Sequence, residues 1–164
     1  VYDTDSEAKR LMESSLEVVQ KLSECFGRDI YHNGRLNRGL LSSRVFGESD
    51  KIVLLNSIVH PVVRFDFYRW SESLNEEICF VESAILYESR FDELVDEVWT
   101  VTAPEELRIG RVRQPSGLTE EEIKKRMAAQ LSEEEKQRRA AHIIWNDGNV
   151  SVIHRVLSLL KSLE

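Results

Sequence analysis

The chain has 164 residues, of which 41% are hydrophobic and 31% are charged, and its formal net charge is −7. This length and composition predict one folded domain with a hydrophobic core. The acidic balance argues against a protein that coats nucleic acid, because such proteins are normally basic. No apolar run approaches the ~20 residues of a membrane-spanning helix, and the polar, acidic start is unlike a signal peptide.

The first half of the chain predicts a short strand followed mainly by helices. Asp5, directly after the strand, is predicted to cap the first helix, because its carboxylate can accept hydrogen bonds from free backbone N–H groups there. Pro61 is predicted to separate two helices, since proline cannot donate the backbone hydrogen bond. The predicted elements are the end of a short strand that runs into a turn within 1–5, helices after Asp5 and at 16–26, 36–46, 50–59 and 62–73, and an Asn33–Gly34 turn.

The second half predicts alternating strands and helices. Ile78 to Val81 is a continuous apolar run, typical of a strand covered on both faces, so Cys79 within it is predicted to be buried. The two cysteines form no metal or redox pattern. The predicted elements are strands at 78–81, 95–101 and 141–145, and helices that begin near Pro104, Thr119, Ser132 and Val150. Strands separated by helices predict an α/β fold with a parallel sheet.

Polar side chains follow three of the predicted strands. In an open parallel sheet, ligands bind beyond the carboxyl ends of the strands. A single carboxylate at such a place is more often a helix cap than a catalyst, but the coincidence at three strand ends predicts one shared site. The residues are Asp3 and Asp5 after the first strand, Glu82 and Ser83 after the second, and Asn146 and Asp147 after the last.

Three arginines and one histidine are further candidates. Arginine binds phosphate through two parallel hydrogen bonds, so Arg111, Arg113 and Arg126 could hold a phosphorylated ligand or form a solvated face. The charged segment 114–131, which is flanked by helix-capping sequences, is predicted to form a hinged helical flap. His60 is either a structural residue at a helix junction or a site residue, and no second histidine or cysteine stands at metal-ligand spacing. We therefore predict no protein-held metal, and the residues themselves name no substrate.

Several segments, in order along essentially the whole chain, resemble the motifs of dephospho-coenzyme A kinases. Each motif alone occurs in many proteins, but the series of motifs in this order is specific for the family. The segment Val1–Asp5, with Ala8, resembles the motif that follows the second strand in this family. The family's helical motifs are matched by Leu36-Asn37-Arg38 with Val45-Phe46 and by Ile58-Val59-His60-Pro61. The strand-end motif resembles 82–88, and the last motifs resemble Arg126, Ala128, Ala129, Gln130, Lys136, Ile144, Asn146 and Gly148.

The resemblance implies a parallel-sheet P-loop NTPase-like fold, similar to nucleoside monophosphate kinases. In a single domain it assigns a core at about 1–5, 77–113 and 140–164, a helical acceptor-binding region at about 6–76, and a lid at about 114–139. It implies ATP-dependent phosphorylation of the ribose 3′-hydroxyl of dephospho-coenzyme A, and the cytoplasm is the default compartment for a chain whose cysteines form no disulfide pattern. This reaction is the last step of coenzyme A synthesis, and Mg²⁺ bridges the ATP phosphates. Neither nucleic acid nor membrane is an expected partner, and assembly into a homo-oligomer is left open.

Residue roles follow from the same resemblance. Asp5 matches the base beside the 3′-hydroxyl, and Arg111 and Arg126 match lid positions that face phosphates. The residues implied for the substrate side are Asp3, Arg38, His60, Arg64 and Glu82, and those for the adenine side of ATP are Asn146 and Gly148.

The sequence also departs from the family. The Gly-rich phosphate-binding loop and the strand before it are missing from the 164 residues, so we expect these residues alone to lack kinase activity. Pro115 and Ser116 stand where the family commonly has arginine and aspartate, and Arg113 is the candidate replacement; Glu82 replaces an aspartate. Two alternatives stay open. One is a truncated or degenerate module that binds a coenzyme A-like ligand or a protein partner without catalysis, and the other is a kinase for another nucleotide-like acceptor.

Overall fold

A computed structural model describes residues 1–163, which divide into two compact units, Val1–Ser89 and a second unit that begins at Arg90. The first unit is mainly helical, with three short helices, one long helix and two pairs of short strands. Its elements are β1 (Tyr2–Asp3), α1 (Thr4–Ser14), α2 (Leu16–Phe26), β2 (Tyr31–His32), β3 (Arg35–Leu36), α3 (Arg38–Val45), α4 (Ser49–Glu72) and β4 (Val81–Glu82).

The core of the first unit lies where α1, α2 and α4 pack together. Strands β1 and β4 pair in parallel, with Tyr2 opposite Val81, as predicted for strands separated by helices. The ring of Tyr2 is 3% exposed and lies 5.3 Å from the ring of Phe67 and 5.4 Å from that of Trp70. The other buried side chains of this core are Leu11, Val18, Leu22, Phe26, Ile58, Val59 and Val63.

The Asn33–Gly34 turn is confirmed as the connection of an antiparallel hairpin. β2 and β3 pair through it, with Tyr31 opposite Leu36. Asn33 and Gly34 have φ values of 48° and 75°, which only glycine and a few residues such as asparagine adopt readily. The predicted helix at 16–26 is also confirmed, and Gly27 ends it with φ of 94°.

The prediction that Pro61 separates two helices is wrong. α4 runs from Ser49 to Glu72 with Pro61 inside it. Proline removes one backbone hydrogen bond and strains the preceding turn. The apolar side chains on both sides of Pro61, including Ile58 and Val63, are buried against the neighbouring helices. This packing keeps the helix continuous despite the local cost.

The prediction of a covered strand at 78–81 is also wrong. Only Val81 enters β4, while Ile78 and Phe80 are 41% and 39% exposed. Cys79 is exposed and free, not buried as predicted. The run makes its strand contacts with β1, including a 2.7 Å hydrogen bond from the Tyr2 amide to the Phe80 carbonyl. A run of apolar residues therefore did not specify a strand covered on both faces.

The second unit alternates strands and helices as predicted. β5 pairs in parallel with β6 in a register that runs from Trp99 opposite His142 to Thr102 opposite Trp145. The strand predicted at 95–101 starts four residues later than expected and extends one residue further. The elements are β5 (Trp99–Thr102), α5 (Glu105–Ser116), α6 (Glu120–Ala128), α7 (Glu133–Arg139), β6 (His142–Trp145) and α8 (Val152–Leu160).

Both predicted capping sequences of the second unit are confirmed. The Thr119 side chain accepts a hydrogen bond from the backbone amide of Glu122, whose own carboxylate accepts from the Thr119 amide. Ser132 caps α7 by accepting from the amide of Glu135. Among residues 1–163, no helix combines the length and the hydropathy needed to cross a membrane.

Candidate active site

Asp3, rather than Asp5, caps helix α1, so the predicted capping role of Asp5 is wrong. Oδ1 of Asp3 accepts from the backbone amides of Asp5, at 3.0 Å, and Ser6, at 3.1 Å. Oδ2 accepts from the Ser6 hydroxyl at 2.6 Å. These bonds, the hydroxyl bond foremost, hold the pKa of Asp3 below its ordinary value. The extended backbone of Asp3 makes it the capping residue, a difference of two positions that residue types alone did not fix.

Asp5 is left with an uncommitted carboxylate. It lies in the first turn of α1 and is exposed. Within residues 1–163, no hydrogen bond or ion pair to this carboxylate is formed. Asp5 can therefore accept a proton or a hydrogen bond from a bound molecule without first breaking a structural contact.

Glu82 completes a group of three carboxylates at the ends of β1 and β4. The strand register places it opposite Asp3. Partial burial raises the pKa of Glu82, and the nearby charges of Asp3 and Asp5 raise it further. The structure thus brings together the acidic residues of two predicted strand ends. Such a concentration of negative charge suits a hydroxyl donor and disfavours a bare phosphate.

The other candidates of the first unit lie on α3 and α4. Arg38 begins α3, and its Nη2 lies 3.6 Å from Oε1 of Glu13 in an ion pair of exposed side chains. His60 is half-buried on α4; burial, together with Arg64 one turn later, lowers its pKa, so the imidazole is neutral at pH 7. Nη1 of Arg64 donates to the Ser89 carbonyl over 3.5 Å.

A polar contact that the sequence did not reveal ties β1 to α4. The Tyr2 hydroxyl donates to Oδ2 of Asp66 at 2.8 Å, and Nη2 of Arg10 donates to the same oxygen at 2.7 Å. Arg10 also binds Glu7. Tyr2 and Asp66 are 64 positions apart, so no local pattern could have signalled the pair. The contact fixes the strand that carries Asp3 against the longest helix of the unit.

In the second unit, Arg111 and Asn146 lie in contact. Nη1 of Arg111 donates to the Asn146 carbonyl at 2.8 Å. The next residue, Asp147, accepts from the amide and the side-chain nitrogen of Asn149, both at 3.0 Å, and these bonds lower its pKa. Gly148 has φ of 90°, a conformation that favours glycine. The turn after β6 is therefore held by its own residues and by Arg111.

Arg126 is exposed on α6, where its charge helps to lower the pKa of Glu122, after the larger effect of the hydrogen bonds from Thr119. Arg113 lies in the last turn of α5. That helix includes Pro115 and ends at Gly117, which has φ of 67°. Both arginines have exposed side chains that a ligand could reach.

The described residues contain no group of three or more histidine, cysteine, aspartate or glutamate side chains placed to hold a metal ion. This finding does not bear on a cation that arrives with a nucleotide, because Mg²⁺ in kinases is held by one or two protein groups, by substrate phosphates and by water.

Parallel strand pairs separated by helices, together with the solved structures that the fold resembles, make the chain an α/β protein of the P-loop NTPase-like class. The chain belongs to the dephospho-CoA kinase family, since the family model described as Dephospho-CoA kinase matches residues 1–151. A relative from Porphyromonas gingivalis, named dephospho-CoA kinase, is 35% identical over 99% of this chain and 81% of its own length.

Two solved structures extend the likeness to the fold. The crystal structure of TT1252 from Thermus thermophilus superposes with a TM-score of 0.83 at 31% identity, covering 98% of this chain and 82% of that one. The dephospho-CoA kinase from Campylobacter jejuni gives a TM-score of 0.69 at 22% identity, covering 99% of this chain and 86% of that one. The second comparison supports the fold alone. Together with the family match, they confirm the fold class and the family expected from the sequence motifs.

Proposed function

We propose that this protein transfers the γ-phosphoryl group of ATP to the ribose 3′-hydroxyl of dephospho-coenzyme A, giving coenzyme A and ADP. The observation that carries this proposal is the family match, which spans residues 1–151 and includes the strand ends and the arginine-bearing helices. The proposed setting is the cytoplasm, in keeping with two free, exposed cysteines.

Asp5 is the proposed base. Phosphoryl transfer needs the acceptor hydroxyl in line with the γ-phosphorus and a group that takes its proton. The Asp5 carboxylate is exposed and has no structural partner among residues 1–163, whereas Asp3 is occupied by the cap of α1. Asp3 and Glu82 stand at the same strand ends, and a neighbouring carboxylate there orients the ribose while Asp5 takes the proton.

Arginines neutralise the transferring group. The three peripheral oxygens of the γ-phosphoryl carry charge in the transition state, and guanidinium groups stabilise it through paired hydrogen bonds. Arg126 is the proposed contact, because its side chain is exposed on α6. Arg111 is tied to the Asn146 carbonyl, and we propose that it links the phosphates to the turn at Asn146 and Gly148 beside the adenine.

Arg38, His60 and Arg64 are the proposed contacts to the rest of the acceptor. Two guanidinium groups suit the pyrophosphate of dephospho-coenzyme A. A neutral His60 can donate one hydrogen bond and accept another, as recognition of a hydroxyl or phosphate ester requires. Mg²⁺ would enter with ATP and supply charge neutralisation at the β- and γ-phosphates.

The test is conversion by the purified product of the complete reading frame. With ATP, Mg²⁺ and dephospho-coenzyme A, we expect coenzyme A and ADP in equal amounts by mass spectrometry. With AMP or adenosine as the acceptor, we expect at least a hundredfold lower kcat/KM. ADP formation with AMP but not with dephospho-coenzyme A would identify a different nucleotide kinase. Binding of dephospho-coenzyme A without ADP formation would favour a non-catalytic module.

A further inference from the structure

Glu133, the first residue of α7, joins three elements of the second unit. Its Oε2 accepts from the Thr102 hydroxyl at the end of β5, at 2.9 Å. Its Oε1 forms ion pairs with Nη1 of Arg108 on α5, at 2.9 Å, and with Nζ of Lys136 within α7, at 3.8 Å. Thr102 is 3% exposed, so these contacts lie at a buried strand end. One carboxylate therefore holds α7 to both β5 and α5.

The same cluster extends to the turn that precedes α7. Nζ of Lys136 donates to Oε1 of Gln130 at 3.0 Å. Nε2 of Gln137 donates to the Thr102 hydroxyl at 3.1 Å, which adds a second bond between α7 and β5. Gln130 lies two residues after the end of α6 and four after Arg126. The position of the carboxyl-terminal end of α6 is thus set by contacts that converge on Glu133.

Glu133 balances two cations in a partly dehydrated place. The side chains of Glu133, Arg108 and Lys136 are only 21%, 27% and 17% exposed. Charges in such surroundings interact more strongly than on an open surface, and loss of one partner leaves the others uncompensated. The buried Nε of Arg108 has no hydrogen-bond partner among the described residues, and its Nη1 forms the ion pair with Glu133 that offsets the charge of this arginine.

We propose that Glu133 is a positioning residue for Arg126. It fixes the turn between α6 and α7 to the end of β5, and so sets where the guanidinium of Arg126 stands relative to a bound phosphate. The inference rests on the proposed function, in which Arg126 contacts the transferring group. A displacement of about 1 Å in a group that stabilises a transition state can cost up to 10²-fold in rate.

The experiment combines kinetics with hydrogen exchange in the product of the complete reading frame. Glu133→Ala removes the anchor, and Glu133→Gln keeps an acceptor for Thr102 while removing the charge. Glu134→Ala is the matched control, because it removes an equal charge from the same turn of α7 at an exposed position. Each variant is also combined with Arg126→Ala, and amide exchange is followed in peptides that cover 127–139.

Glu133→Ala should lower kcat/KM by roughly 10- to 100-fold, mainly through kcat, and should speed exchange across 127–139. Glu133→Gln should recover part of both effects, and Glu134→Ala should change neither by more than about twofold. In the Arg126→Ala background, the loss from Glu133→Ala should shrink to under about twofold, since the two residues act as one unit.

Full additivity of the two losses, an Arg126→Ala variant with parental activity, or equal results from Glu133→Ala and Glu134→Ala would each overturn the proposal. Unchanged exchange at 127–139 in Glu133→Ala would overturn the anchoring itself, whatever the activity. If the parental protein makes no coenzyme A, the proposed function fails, while the exchange data still decide whether Glu133 anchors the turn.

Discussion

The carboxylates at the ends of the two pairs of parallel strands have different surroundings. Beyond β1 and β4 lie three carboxylates, and of these only Asp3 is engaged by hydrogen bonds of the helix cap. Beyond β5, Glu133 is matched by two cations and a hydroxyl within 3.8 Å. The first strand end gathers like charges that repel each other, and the second neutralises its charge within the fold.

This difference separates a place prepared for a ligand from a place that supports structure. A group of like charges is unfavourable for the folded protein and persists where a bound molecule makes use of it. A cluster whose charges are already paired stabilises the protein and leaves fewer groups free to bind a substrate. We therefore expect substitutions beyond β1 and β4 to affect catalysis more than stability.

Asp5→Asn is expected to have the largest effect and tests whether the strand end at β1 serves catalysis. Loss of a general base should lower kcat by roughly 10²–10⁴-fold. The free energy of unfolding should change by less than about 1 kcal/mol, because Asp5 neither caps α1 nor pairs with another residue in 1–163. Steady-state kinetics and urea unfolding measure the two effects. Glu7→Gln, which removes an equal charge from the same helix along with its ion pair to Arg10, serves as the control for kcat.

Near-parental kcat in Asp5→Asn would remove the proposed base. A large loss of stability with a proportionate loss of activity would instead mark Asp5 as structural, and the two strand ends would no longer differ in kind.

Arg126→Ala is the next largest expected effect. Removal of a guanidinium that contacts the transferring phosphoryl should cost about 2 kcal/mol in kcat/KM. Lys125→Ala, one position earlier on the same exposed helix, should cost under about 0.5 kcal/mol. Kinetics with ATP as the varied substrate measure both. Equal losses from the two substitutions would show that α6 contributes general positive charge rather than a specific contact.

Tyr2→Phe tests the contact that holds β1, which carries Asp3, against α4. The substitution keeps the ring that packs against Phe67 and removes the hydroxyl that donates to Asp66. Asp66 retains Arg10 as a partner, so the free energy of unfolding should fall by about 1 kcal/mol. Thermal and urea unfolding measure the change. No loss of stability would mean that the Tyr2 hydroxyl does not hold β1 to α4.

Glu82→Gln should give the smallest effect on the free energy of unfolding, and the sign of this effect depends on pH. Folding raises the pKa of Glu82, so its contribution to stability is present below the unfolded pKa and is lost as the pH rises through the folded pKa. The substitution should therefore be neutral near pH 4 and stabilising near pH 7, by less than about 1 kcal/mol because solvent screens this site. Urea unfolding at the two pH values measures the change, with the exposed Glu76→Gln as the control. Destabilisation at pH 7 would show that the three carboxylates do not repel one another.

The sequence predicted the features that depend on near neighbours. The capping box at Thr119, the hairpin turn at Asn33 and the end of α2 at Gly27 each follow from residues within a few positions, and each is confirmed. The parallel pairing of strands followed from their alternation with helices, and the family followed from the order of several motifs.

The features that were wrong or unseen depend on residues far apart in the chain. Pro61 lies inside α4 because buried side chains hold the helix together across it, which local propensity does not report. The contacts of Tyr2 with Asp66 and of Thr102 with Glu133 span 64 and 31 positions. The cap of α1 was assigned to Asp5 instead of Asp3 because two acidic residues near one strand end are equally good caps by residue type.

The proposed reaction is tested most directly by determining which oxygen of dephospho-coenzyme A receives the phosphoryl group. Dephospho-coenzyme A is phosphorylated by the product of the complete reading frame with γ-labelled ATP, and the product is analysed by ³¹P NMR and by digestion with a 3′-nucleotidase. We predict a single new monoester on the ribose 3′-oxygen, with all of the label released by the 3′-nucleotidase, and a single-turnover rate of its formation that is lower by roughly 10²-fold or more in Asp5→Asn. Label on any other oxygen, or a parental single-turnover rate in Asp5→Asn, would contradict the proposed reaction.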